Sequence, residues 1–191
     1  MSLLTIVETK EIISVISDGQ GTYSEGNVAL TGFQKFFAST DFFIGIIGSY
    51  RVAKSILDTI KEDPTDIEFV KYLLIQLQHF KTLQEGSDEF TIVLCEHYFN
   101  EPVCTFYDYF NREYTIQKLK LNECLPIIKH SPYLDNQIAH SARLKINQMV
   151  LSNCNKEEII QEQINFHKLV SNLDPTVNDE IFHHIVNKIR F

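Results

Sequence analysis

Residues able to do chemistry are unevenly spread along this chain. Six of its seven glycines (Gly19, Gly21, Gly26, Gly32, Gly45, Gly48) fall in the first 48 residues. Glycine permits positive φ and close backbone approach, and such geometry gathers at sites. The same quarter holds Asp18 in an Asp-Gly dipeptide, Lys35 ahead of Phe36-Phe37, and two hydroxyls near the chain start, Ser2 and Thr5. Each has a bland reading as well: Asp-Gly is a common turn, and a lysine at a strand edge is often just a solvated charge. Other chemistries fare worse. His183 and His184 are neighbours in a β-type run, so their side chains point to opposite faces and cannot easily serve one metal ion. Ser131, Asp135 and His140 belong to no motif that would make them a triad.

The elements that must position these residues read as a mixed fold. Short β-branched runs at Leu4–Thr9 and Ile12–Ser17 flank Lys10-Glu11, which predicts a tight hairpin. Phe33–Phe37 and Asp41–Ile47 form a second pair. Ser49 is an N-cap candidate for a helix whose Val52, Ala53, Ile56, Leu57 and Ile60 share one face. Asp66 is placed to cap the next helix, with an apolar stripe of Phe69, Val70, Leu73, Leu74, Leu77 and Phe80. Strands follow at Phe90–Phe99, Val103–Phe110 and Tyr114–Leu119. Two amphipathic helices, about Leu134–Leu151 and Lys156–Leu173, precede a last strand at Ile181–Ile189. Helices in consecutive pairs, each flanked by hairpins, predict an α+β fold: a four-layer αββα sandwich of two antiparallel sheets. The 191 residues suit one domain, 1–191, with a substantial core.

Composition narrows the function classes. Hydrophobic residues make up 44% and charged residues 22%, a globular balance. Net charge is −8, with no cluster of Lys/Arg, which argues against nucleic acid, since such binding neutralises phosphates. No apolar run approaches the roughly 18 residues of a membrane span. Met1-Ser2-Leu3-Leu4-Thr5 lacks the pattern of a secretory signal. Cys95, Cys104, Cys124 and Cys154 lie far apart, so free thiols in a reducing cytoplasm are expected rather than a zinc or disulfide framework.

The element order, joined to particular residues, resembles the β subunits of proteasomes and above all the HslV-type peptidase, N-terminal-nucleophile hydrolases. Thr5-Ile6-Val7 followed by Ser17-Asp18-Gly19-Gln20 looks like that family's opening hairpin and Asp-Gly-Gln turn. Gly45-Ile46-Ile47-Gly48-Ser49 resembles its Gly-x-x-Gly turn into the first helix. Asp174-Pro175-Thr176-Val177 is similar to its final helix-to-strand loop.

The resemblance implies a mechanism. The hydroxyl of the first residue attacks, and its own α-amine, unperturbed pKa near 8, takes the proton. A strand lysine keeps positive charge beside that pair, a turn aspartate orients it, and a Gly-x-x-Gly N–H stabilises the oxyanion. Asp18 matches the aspartate. Lys35 matches the lysine if the Gly21–Gly32 loop carries a one-residue insertion. Gly48 or Ile47 offers the N–H. The nucleophile departs from the pattern. Aligning Thr5-Ile6-Val7 places Leu4 at the first position, whereas counting back from Asp18 places Ser2 there, once Met1 is removed. Thr5 could act only after cleavage behind Leu4. His130-Ser131-Pro132 stands where the family has Gly-Ser-Gly, which removes glycine freedom and an N–H. Two functions follow from the resemblance. One is a peptidase subunit in an oligomeric ring, acting on peptide or unfolded protein and fed by an ATP-dependent unfoldase, with catalytic residues Ser2, Asp18, Lys35 and Gly48 and no cofactor or metal. The other is a proteasome-like interaction or assembly protein without proteolysis.

Overall fold

The computed structural model describes residues 3–22, 27–39, 42–62, 67–76, 89–96, 102–110, 113–131 and 133–188. Strand β1 (Leu4–Glu8) pairs antiparallel with β2 (Ile12–Asp18), Leu4 opposite Ser17. The connecting turn is held by Thr9, whose N–H reaches Ile12 O at 2.8 Å and whose hydroxyl accepts from Glu11 and Ile12 N–H. Strand β10 (Ile127–Lys129) adds to one side of this hairpin and β11 (Ile181–Asn187) to the other, giving the order β10-β1-β2-β11. A second sheet of five strands runs in the order β5 (Phe36–Ala38), β6 (Phe42–Gly48), β7 (Phe90–Glu96), β8 (Val103–Phe110), β9 (Glu113–Lys120). A short ribbon of β3 (Gly21–Thr22) and β4 (Val28–Leu30) stands apart.

Period-two alternation explains the layers, because successive side chains face opposite ways. On β6, Phe42, Ile44 and Ile46 meet helices α1 (Tyr50–Glu62) and α2 (Ile67–Gln76), while Phe43 and Ile47 meet the other sheet. On the opposing sheet, Leu4, Ile6, Ile13 and Val15 fill the space between sheets. Leu3 and Val7 turn instead toward helices α3 (Asn136–Leu151) and α4 (Lys156–Ser171). The expected helix–sheet–sheet–helix sandwich is therefore the observed one. Both sheets are covered on both faces, which is why β2 is buried at every position. Gly45 gives Leu4 of the facing sheet room to pack against it: a Cβ there would lie 2.9 Å from Leu4 Cδ2.

Several boundaries differ from the expectation. The helix read from Leu134 starts at Asn136, because Asp135 is the N-cap and accepts from Gln137 N–H at 2.8 Å. The following helix starts at Lys156 behind a capping box of Asn155 and Glu158, and ends at Ser171 rather than Leu173. Phe33-Gln34-Lys35 precedes β5 rather than forming it. On α2, Val70 and Leu74 point inward while Phe69 is exposed. Strand β10 and the β3–β4 ribbon were not anticipated. The proposed cap Asp66 and the helix positions Leu77 and Phe80 lie outside the described residues.

Candidate functional site

Asp18 ends β2 with its carboxylate fully buried. Four donated hydrogen bonds fill it: Leu3 N–H at 2.8 Å, Gln20 N–H at 3.1 Å, and two from Lys35 Nζ at 2.6 and 2.7 Å. Lys35 is 2% exposed, so the reading of a solvated strand-edge charge fails and the two predicted residues form a buried ion pair. Burial pushes the Lys35 ammonium below its ordinary pKa, and the negative charges of Asp18 and Asp174 oppose that shift. The arrangement places fixed positive charge at the open end of the β1–β2 hairpin. Leu3 N–H is one of the Asp18 donors, so the backbone of Leu3 is tied to this pair. Ser2 itself lies outside the described residues.

Around the pair stands a brace that sequence reasoning noticed only as loops. Asp174 is buried, accepts the Ser131 hydroxyl through Oδ2, and accepts Thr176 N–H and Oγ1–H through Oδ1 at 2.9 and 2.6 Å. The same loop holds the Asp18 turn: Gln20 Nε2 donates to Pro175 O at 2.8 Å, and Gly19 N–H to Asn178 Oδ1 at 2.9 Å. Ser131 thus keeps a defined partner; Pro132 is outside the described residues. The Asp-x-Thr spacing of 174–176, a local side-chain-to-backbone turn pattern, was the signal available in the sequence.

Gly48 ends β6 at φ +113°, where a Cβ would lie 2.3 Å from Glu89 O and 2.7 Å from Phe90 Cα. Only glycine fits there, and the turn it makes lets Ser49 N–H reach Glu89 O at 3.2 Å. Gly48 borders a cleft of about 500 Å³ shared with His130 and Ser131.

Thr5 lies elsewhere. It sits in mid-β1 facing α4, fully buried, accepting from Gln163 Nε2 at 3.0 Å, with its hydroxyl 3.1 Å from His167 Nε2. Burial, and then the charge of Lys35, lower the His167 pKa to about 3. His183 and His184 do diverge: His183 Nε2 meets Ser14 Oγ at 3.1 Å, while His184 faces Phe36. Asp135 caps α3 and Ser131 bonds Asp174, so no triad with His140 forms.

No protein-family model matches the chain, and no curated protein sequence does. Solved structures do. Eukaryotic HslV from Trypanosoma brucei aligns with TM-score 0.63 at 16% identity, covering 97% of this chain and 99% of that one. Anbu (ancestral beta-subunit) from Yersinia bercovieri aligns with TM-score 0.67 at 10% identity, covering 97% and 82%. Thiobacillus denitrificans BPH in complex with epoxomicin aligns with TM-score 0.61 at 12% identity, covering 98% and 100%. Two layers of sheet between two layers of helix, followed over nearly the whole chain by each of these proteins, identify the proteasome/HslV-type N-terminal-nucleophile hydrolase fold.

Proposed function

We propose that this single-domain chain is a cytoplasmic peptidase subunit that cleaves peptide bonds with Ser2 as an N-terminal nucleophile, exposed when Met1 is removed. The observation that carries the reading is the buried Asp18–Lys35 pair, whose carboxylate also holds Leu3 N–H. That contact anchors the start of the chain beside an ammonium. An α-amine next to a lysine charge loses its proton more readily, and becomes a usable base near neutral pH. Asp18 orients Lys35, Ser131 and Asp174 brace the surroundings, and the backbone at Gly48 supplies oxyanion stabilisation. Thr5 takes no part, because its hydroxyl is committed beneath α4. Substrates are peptides or unfolded segments, delivered by an ATP-dependent unfoldase into a homo-oligomeric ring. Exposed Tyr72 and Ile75 on α2 support self-association, since apolar side chains on one helix face call for a partner surface.

The test is direct. Intact mass should show Met1 absent, and an epoxyketone peptide, which bonds to a hydroxyl and an amine on one residue, should add once per chain. Ser2→Ala should abolish the addition without changing the melting temperature. Retention of Met1 in material from a normal cytosol, with no adduct, would overturn the reading in favour of an interaction or assembly protein on the same fold.

A further inference from the structure

The cleft beside Gly48 and Ser131 contains a titratable side chain that the site described above does not use. His130 is half-buried at the end of β10, and its Nδ1 lies 2.7 Å from Ser131 O. A carbonyl oxygen can only accept, so Nδ1 carries the hydrogen. That fixes the tautomer and leaves Nε2 as the proton-exchanging nitrogen. Among the described residues Nε2 has no hydrogen-bond partner. The cleft is walled by apolar Ile47, Phe90 and Ile128. The charged groups that face it are Glu89 ahead of β7 and Lys129 on β10. Asp108 on β8 stands behind Lys129 at 3.5 Å, and Asp174 stands behind Ser131.

We propose that this cleft takes the substrate segment that follows the scissile bond, with an apolar residue first, and that His130 Nε2 is the acid that protonates the leaving amine. The proposal rests on the peptidase reading above. In acylation, the nucleophile's hydroxyl proton passes to its own α-amine, and oxygen bonds the carbonyl carbon. The C–N bond then breaks as the imidazolium gives its Nε2 proton to the departing nitrogen. In deacylation, water attacks the ester and returns a proton to Nε2, while the α-ammonium reprotonates the released hydroxyl. The sum is amide plus water to acid plus amine, and both bases end as they began. Two stations then share the proton traffic, the α-amine and His130 Nε2.

An alkylamine needs protonation to leave and a nitrophenolate does not, so leaving-group dependence is the diagnostic. For a peptide with an apolar residue after the scissile bond, His130→Gln should lower kcat about 100-fold. The acylation burst of the matching acyl nitrophenyl ester, read before deacylation, should lose no more than a few-fold. Added imidazole should restore part of the peptide rate in His130→Gly. Equal losses in the amide rate and in the ester's acylation burst, or no loss on the amide, would overturn the role of His130 while leaving the peptidase reading standing. Wild-type protein that neither cleaves peptide nor takes the epoxyketone overturns both.

Discussion

His167→Gln should flatten the acid end of the stability curve. His167 is fully buried on α4, with Nε2 against the Thr5 hydroxyl. Its pKa falls from 6.5 to about 3 in the fold, mainly through burial. The unfolded chain therefore takes up a proton near pH 6.5 that the folded chain refuses until about pH 3. The stability involved is fully present above pH 6.5 and drains away as pH falls toward 3. At pH 4.5 the gap of about two units corresponds to about 3 kcal/mol at 1.36 kcal/mol per unit. For a chain of this size that is about 6 to 12 °C in melting temperature. Glutamine keeps a polar group near Thr5 but cannot be protonated. It will be less stable at pH 7 through imperfect packing, yet the extra loss between pH 7 and 4.5 should disappear. Thermal melts of both proteins across that range, with carboxylate effects common to both, isolate the histidine. Parallel curves for wild type and variant, or an imidazole resonance of His167 that titrates near pH 6.5, would refute the argument.

Lys35→Ala leaves the Asp18 carboxylate buried without its cation, so it should cost about 3–5 kcal/mol as well as epoxyketone addition; denaturant titration showing an unchanged midpoint would contradict the buried pair. Gly48→Ala must hold alanine at φ +113° against Glu89 O, so backbone strain on the order of 1–3 kcal/mol plus the clash should lower that midpoint clearly. Thr5→Val removes the acceptor of Gln163 and the partner of His167 and should cost about 1–3 kcal/mol, yet retain epoxyketone addition; loss of addition in a folded Thr5→Val protein would bring Thr5 back as nucleophile. Light scattering at micromolar concentration should give a mass several times the 22.2 kDa of one chain, and a monomeric mass would remove the ring.

Much of this was legible before any coordinates, for physical reasons. The hairpin of β1 and β2 and the strands β6, β7 and β8 carry strongly β-branched or aromatic runs, buried on both faces, and such runs announce themselves. The apolar face of α1 has the helical period, and all five of its expected residues are buried in one cluster. Strand β10 escaped because it has only three residues, directly after Pro126, and exists by pairing with β1 rather than by its own propensity. Asp18 and Lys35 could be singled out because each sits in a local motif. The Ser131–Asp174 contact could not, since it joins loops 43 residues apart and no local pattern encodes such a pairing. Thr5 looked exposed to chemistry in a linear motif, but the register of β1 turns its hydroxyl toward α4.

The bracing of the Asp18 turn by the 174–181 segment has a consequence for biosynthesis. Asp18 lies opposite Ile181 in the sheet, and Gly19 and Gln20 are held by Asn178 and Pro175. A ribosome releases the β1–β2 hairpin first and these partners almost last. Until they emerge, the Asp18 carboxylate has no wall on that side, and the ion pair with Lys35 stays open to water. A product truncated before residue 174 would therefore carry every motif of the first fifty residues without the loop that braces the Asp18 turn.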